Sequence, residues 1–453
     1  FIPGTDVSGT PVSLIPDPLA DAYLQFLGLS ALGKDEGVLT PPLQPGLVEY
    51  FKTLNFLDDK NSIAEIPYSL KNGKFGFPFS DIISSAVSEN IDLSGKTVVT
   101  LFTDSKIRSQ IASLGGETVQ ESEARNTSNK SEFRKASLKY DWEMPAGFLL
   151  TDKTIIKVAA VSLENCSCAW MKLNCGSGGD TVYRIPGPLT EEKIYKGISA
   201  IRESVRESFN NADYGNSTFE DYWSAKEVLP SLGTITIEAN SEGITGSNVV
   251  VIKKDGTFEI PGYFQQRITD QGNFEGLMVY EGSMPFHPSE EQKVAIDTEI
   301  AKVVRYCVEE LNLYGIVGVD YILNEKTDGS IEVSLIELNG RPPISSTSKI
   351  IADKAGAEAW VNINIWTEDE INTLEDLRSA LTIDGKSLLD TSISEGKVVV
   401  QAMRAIWQIN ENGEKELLYP SRGAKILICG DTQEVCDNVI SLLKKGGVSF
   451  SSN

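Results

Sequence analysis

The sequence predicts a mixed α/β (α+β) protein of several domains, and three local patterns carry that expectation. A short apolar run at 98–102 is followed by an amphipathic stretch at 105–114 and then Gly115-Gly116. Strand, helix and glycine stop make a unit of parallel sheet. A second apolar run at 170–173 leads straight into the glycine-rich 174–180, and helical patterning follows at 191–209. Third, apolar-rich runs at 318–323 and 331–339 flank Asp328-Gly329, the signature of an antiparallel hairpin. At about 150 residues per domain, 453 residues give two to four domains.

The elements follow in chain order. Three prolines within 41–45 read as a linker inside a first region that reaches about residue 125. A polar stretch at 120–131 marks a boundary. Asn129 then caps a helix, with Glu132 three positions on as its capping-box partner, and the helix ends near Tyr140, before Pro145. Strands are expected at 234–238 and 249–253, the latter turned by Asp255-Gly256. From Ser289, with Gln292 as capping partner, a helix presents Ile300, Val303, Val304, Cys307, Val308 and Leu311 on one face. Beyond about 365 come strands at 397–408 and 424–429 and a helix at 434–444, with no internal repeat. Trp142, Trp170, Trp223, Trp360, Trp366 and Trp407 are scattered and read as core.

Charge and composition remove whole classes of chemistry. With 41 Lys plus Arg against 64 Asp plus Glu, the net charge is −23, a field that repels phosphate backbones and anionic lipid. Neither nucleic acid nor a membrane surface is an expected partner. The one histidine, His287, precludes multi-histidine metal sites, and next to Pro288 it reads as a surface or packing residue. The six cysteines form no CxxC pair, so free thiols in a reducing cytoplasm are expected. Cys175 reads as a small filler. No apolar run approaches the roughly 20 residues of a membrane span. The chain opens at Phe1, which leaves a trimmed leader or tag open.

The hairpin holds the most informative geometry. If its strands are symmetric about Asp328-Gly329, Asp320 lies directly opposite Glu337; a loop longer than two residues would loosen that pairing without abolishing it. Carboxylates facing each other across a strand pair repel, so something positive should sit beside them. Alternation places Asn339 and Arg341 on the face of Glu337. Two carboxylates and an amide oxygen, without imidazole or thiolate, form a hard oxygen site suited to Mg²⁺. The bland alternative is a solvated face, which Val319, Tyr321, Leu335 and Ile336 argue against by making the strands look buried. Upstream, Gly176, Ser177, Gly178 and Gly179 can offer backbone N–H groups to phosphate, with Lys172 as a point charge, or can be an ordinary turn. The spacing is neither a Walker A loop nor GxGxxG.

Together these residues resemble the ATP-grasp superfamily over about 128–355. Asn129-Lys130-Ser-Glu-Phe-Arg134 ahead of Met144-Pro145-Ala-Gly-Phe148 is similar to its first lysine motif, and Lys172 with Gly176–Gly179 to its second lysine and flexible loop. Gly318-Val-Asp320 and Glu337-Leu-Asn-Gly-Arg341 resemble its metal motifs. The pheganomycin-type peptide ligases look nearest, which implies a pre-ATP-grasp α/β domain at 1–125, an ATP-grasp core at 126–365 hinged near 234–240, and a small C-terminal α+β domain at 366–453. The resemblance implies ATP and Mg²⁺ as cofactors, Lys130 and Lys172 on phosphates, Glu238 at the adenine edge, and Asp320, Glu337 and Asn339 on metal. Arg341 and Lys172 would be the catalytic groups.

The implied reaction joins an amino acid or peptide carboxylate to an amine through an acyl phosphate. Small-molecule amino acids or peptides would be the partners. Where the peptide ligases carry Gly-Thr-Thr-His, this chain has Pro342-Pro-Ile-Ser-Ser-Thr347, which leaves the acceptor open. Ser345 and Ser346 either line that acceptor site or cap a helix starting near Ser348. Arg267 either binds a substrate carboxylate or forms a surface salt bridge. Loading of a carrier-protein thiol, bare phosphoryl transfer and a non-catalytic nucleotide-binding scaffold are the competing functions. The helix from 289 is either core or a homo-oligomer interface.

Overall fold

In the computed structural model, the described residues are 37–40, 42–58, 62–65, 70–71, 74–75, 92–98, 105–118, 129–174, 182–210, 235–268, 276–277, 280–410 and 412–450. Two sheets organise the molecule. The smaller has five strands in the order Gly276–Leu277, Val182–Pro186, Cys168–Leu173, Ile235–Ala239 and Gly147–Leu150, all antiparallel. Alternation sorts its side chains: Ala169, Met171, Leu173, Ile235 and Ile237 pack with Ile156 and Ala159 of helix Lys153–Ser162 and with Ile194 and Ile201 of helix Glu191–Asn210. Lys172, Thr236 and Glu238 therefore point to the opposite face.

The larger sheet has eight antiparallel strands. Their order is Ile331–Asn339, Gly315–Glu325, Ile244–Ile252, Phe258–Ile268, Tyr280–Pro285, Ala359–Trp366, Gly423–Gly430 and Lys397–Met403. The strands of the C-terminal segment thus continue the sheet that carries the hairpin, joined where Gly282 and Ser283 pair with Ile363 and Asn362. One face packs helices Lys130–Tyr140 and Glu290–Glu309 around Phe133, Ile300, Val303, Cys307, Val319, Tyr321 and Leu335. The other is covered by helix Ile344–Ala355, with helix Gln433–Lys445 also packed on the C-terminal strands.

Of the first region, strand Thr97–Val98 runs parallel to Glu117–Thr118 across helix Ser105–Ser113, with Gly115 at φ 82° after the helix; residues 99–104 lie outside the described set. Helix Leu47–Thr53 buries Leu47, Tyr50 and Phe51 in the same cluster as the C-terminal strands. Gln44 Nε2 donates to the Ala405 carbonyl (2.8 Å), and Lys415 Nζ reaches the Leu43 carbonyl (2.9 Å).

Capping follows sequence closely. Ser289 accepts from Gln292 N (3.2 Å) while Gln292 Oε1 accepts from Ser289 N (3.0 Å), the expected box. Asn129 caps its helix through Glu132 N (3.0 Å), but the Glu132 carboxylate pairs with Lys135 (2.7 Å) instead of closing a box. The helix expected near Ser348 begins at Ile344, behind Pro343, because proline at the cap has the extended φ and ψ that open a helix. Cys166, Cys168, Cys307, Cys429 and Cys436 are free, and Cys175 lies outside the described residues. No described helix is long and apolar enough to cross a membrane.

Candidate functional site

The hairpin places Asp320 opposite Glu337, by a different route from simple symmetry. The turn is not a two-residue loop centred on Asp328-Gly329. Lys326 N donates to the Ser330 carbonyl (2.8 Å) and Gly329 N to the Lys326 carbonyl (2.9 Å), so three residues, 327–329, form the loop. Gly329 takes φ 82°, which glycine adopts without steric cost, and Asp328 Oδ1 accepts from Ser330 N (2.9 Å). That loop shifts every pair from Glu325↔Ile331 to Tyr321↔Leu335 by one position. A β-bulge then inserts Ile336 and restores the offset, so Glu337 meets Asp320 and Asn339 meets Gly318.

Around this pair the charges are matched. Asn339 Nδ2 donates to Asp320 Oδ2 (3.2 Å) and to Glu337 Oε1 (3.3 Å). Lys130 Nζ lies 2.8 Å from Glu337 Oε2, and Lys130 is only 7% exposed. Burial alone would raise the Glu337 carboxyl, but Lys130 foremost and then Lys172 hold it well below the ordinary carboxylate range. Asp320 moves the other way: burial and the Glu337 charge push it up, and the neighbouring Ser247 and Gln266 side chains only partly oppose this. Burial pulls Arg341 below its ordinary range, and Glu337 and Asp320 oppose that shift. The cation expected beside the two carboxylates is thus a group of three, Lys130, Arg341 and Lys172.

From the smaller sheet, Lys172 Nζ contacts Glu238 Oε2 at 2.5 Å, while Arg134 Nη2 contacts Glu238 Oε1 at 2.7 Å. Burial would raise the Glu238 carboxyl, and the two cations outweigh it and hold it low. With both oxygens engaged, the Glu238 carboxylate serves Lys172 and Arg134. Asn174, fully buried, ties the end of strand Cys168–Leu173 to the helix of Lys130: its carbonyl accepts from Lys130 N (3.2 Å) and its Oδ1 from Ser131 N (2.6 Å).

The structure therefore brings Lys130, Lys172, Asp320, Glu337, Asn339 and Arg341 together, with Glu238 behind Lys172. Gly176, Ser177, Gly178 and Gly179 lie outside the described residues, as does the side chain of Arg267, whose backbone pairs with Gly282. Ser345 and Ser346 sit in the first turn of helix Ile344–Ala355. Ser346 Oγ donates to the Pro343 carbonyl (2.6 Å), whereas Ser345 Oγ is buried without a hydrogen-bond partner. His287 is exposed. Arg134 and Asn174 were given no role from sequence; the one available signal was the position of Arg134, one helical turn after Lys130.

The residues fit a hard divalent cation. Asp320 Oδ1 is buried with no hydrogen-bond partner, an acceptor that a cation would satisfy. Among the described residues no group of three or more His, Cys, Asp or Glu side chains forms, so such an ion would complete its shell with phosphate and water oxygens, as Mg²⁺ does.

No family model matches the sequence, and no curated protein does. Solved structures do. The biotin carboxylase–β,γ-ATP complex from Campylobacter jejuni aligns with a TM-score of 0.55 at 11% identity, covering 95% of this chain and 90% of that one. Phosphoribosylamine–glycine ligase from Thermotoga maritima gives 0.52 at 12% identity, with 95% and 96% covered. The ADP complex of an N5-carboxyaminoimidazole ribonucleotide synthetase gives 0.52 at 14% identity, with 93% and 94% covered. The fold is the ATP-grasp fold.

Proposed function

We propose that the chain is an ATP-dependent carboxylate–amine ligase that forms an amide bond, in its finer reading a peptide bond between an amino acid or peptide carboxylate and an amine. The observation that carries this reading is the Asp320–Glu337 pair, bridged by Asn339 and backed by Lys130. Solved proteins of this fold that were crystallised with ADP or an ATP analogue support a nucleotide as ligand.

In this reading Lys130 and Lys172 bind the phosphates, and Asp320, Glu337 and Asn339 would hold Mg²⁺. The ion, when bound, would neutralise charge on the phosphate oxygens. Arg341, beside both carboxylates, meets the charge that develops as the substrate carboxylate takes the γ-phosphoryl group. Attack of the amine on the acyl phosphate then releases phosphate. No imidazole base is required, because the amine loses its proton to phosphate oxygen or solvent, in keeping with an exposed His287. The 176–179 loop would exclude water from the acyl phosphate.

An ADP-release assay over paired amino acids, with mass spectrometry of products, tests this. ADP and a condensed product only when acid and amine are both present support the ligase. ADP with an acid alone would point to phosphoryl transfer, and MgATP binding without turnover for any pair would leave a scaffold.

A further inference from the structure

Lys130 and Arg134 lie one turn apart, so they share one stripe of helix Lys130–Tyr140. Lys130 reaches Glu337 on the eight-stranded sheet, and Arg134 reaches Glu238 on the five-stranded sheet. One helical stripe therefore spans both sheets. Glu238 is 3% exposed and gives one oxygen to Arg134 and the other to Lys172. Arg134 Nη2 also donates to the Pro145 carbonyl at 2.9 Å, which fixes the guanidinium from a second side. Space for this is made by Gly147: a Cβ there would lie 3.0 Å from Glu238 Cγ and 3.1 Å from Arg134 Nη2.

The charges give the arrangement a purpose. Lys172 paired with Glu238 alone would be a neutral couple, poorly suited to attracting phosphate. Arg134 shares the same carboxylate, so the three groups together keep one net positive charge while Lys172 stays anchored. We infer that Arg134 is a positioning residue, acting through Glu238 to hold Lys172 in place toward the nucleotide phosphates. One stripe of the helix thereby sets both phosphate-binding lysines. This inference rests on the nucleotide reading above.

The test is MgADP binding by titration calorimetry, together with KM for MgATP and kcat, on the full chain. Replacing Arg134 with methionine (R134M) keeps length and removes charge. It is expected to weaken MgADP binding and raise KM by roughly ten- to hundredfold, the range seen when a group supporting a ligand-binding residue is lost, with a smaller change in kcat. R134K should recover most of the binding. E238Q should weaken binding less in the R134M background than in the wild type, because the carboxylate that neutralises Lys172 is then gone. Native-like melting with unchanged MgADP affinity in R134M overturns the role of Arg134 and leaves the nucleotide reading standing. Strictly additive effects of R134M and E238Q overturn it as well. Should R134M fail to fold, R134Q carries the test: it keeps hydrogen-bonding capacity but no charge, so binding should again weaken about tenfold, and wild-type affinity overturns the inference. A wild-type protein that binds no MgADP overturns both readings.

Discussion

Asp320 and Glu337 stand directly opposite each other on neighbouring strands because Ile336 is bulged out of the ladder between them and the turn. In an unbulged ladder Ile336 would face Asp320, and Glu337 would pair with Val319 and point into the apolar layer of Val319 and Leu335. The bulge sets two like charges side by side on the face that Lys130 and Asn339 also reach, which makes the pair a site for a cation rather than a local error of folding.

Glu337→Gln retains volume and removes the charge that meets Lys130 at 2.8 Å. ADP formation should fall at least about a hundredfold while the protein still unfolds cooperatively. Retention of wild-type turnover in this variant would refute the metal assignment.

Lys130→Met removes the cation that holds the Glu337 carboxyl low. Nucleotide affinity should drop roughly tenfold or more, as expected when a charge-assisted contact to phosphate is lost. Calorimetric titration with MgADP reads this directly, and an unchanged affinity contradicts the assignment of Lys130 to the phosphates.

Gly147→Ala places a Cβ 2.4 Å from the Ile237 carbonyl oxygen, a backbone atom in the neighbouring strand that moves only with the sheet. A loss of about 1–3 kcal/mol is expected. Urea unfolding checks it; a midpoint equal to wild type would show that the strand relaxes freely.

Lys425 is 1% exposed on the penultimate strand of the large sheet, and burial, with a smaller contribution from Arg404, pushes its pKa down to about 7. Unfolding returns it to the ordinary lysine value, so between about pH 7 and 10 the unfolded chain binds more protons. Its contribution therefore favours folding at high pH and is lost as pH falls toward 7. Relative to Lys425→Met, the stability of the wild type should rise with pH across this window, by at most about 1.4 kcal/mol per pH unit. Urea unfolding of both proteins at pH 7, 8 and 9 measures the difference, and a flat difference rejects the buried-lysine account.

Much of this was legible along the chain because it is local. The capping box of Ser289 and Gln292 and the buried Ile300, Val303, Val304 and Cys307 follow from helical periodicity. The opposition of Asp320 and Glu337 was expected from a two-residue turn, and the same pair arises from a three-residue turn corrected by a bulge; alternation alone cannot distinguish these. Glu132 satisfies the capping-box pattern, yet its carboxylate goes to Lys135, since an exposed side chain chooses between neighbours of similar energy. The helix after Arg341 begins earlier than its serines suggested because Pro343 occupies the cap.

By itself, the sequence determined the mixed α/β class, the hard-oxygen character of the hairpin and the placement of Lys130 at a helix start, all properties of spacing within one element. Only the tertiary structure decided that Lys172 and Arg134 meet on Glu238, 66 and 104 residues away. Periodicity states which way a side chain points from its own strand or helix. Whether a buried carboxylate receives one cation or two depends on strand order and on where a helix crosses between sheets, and desolvation makes that outcome govern the charge of the site.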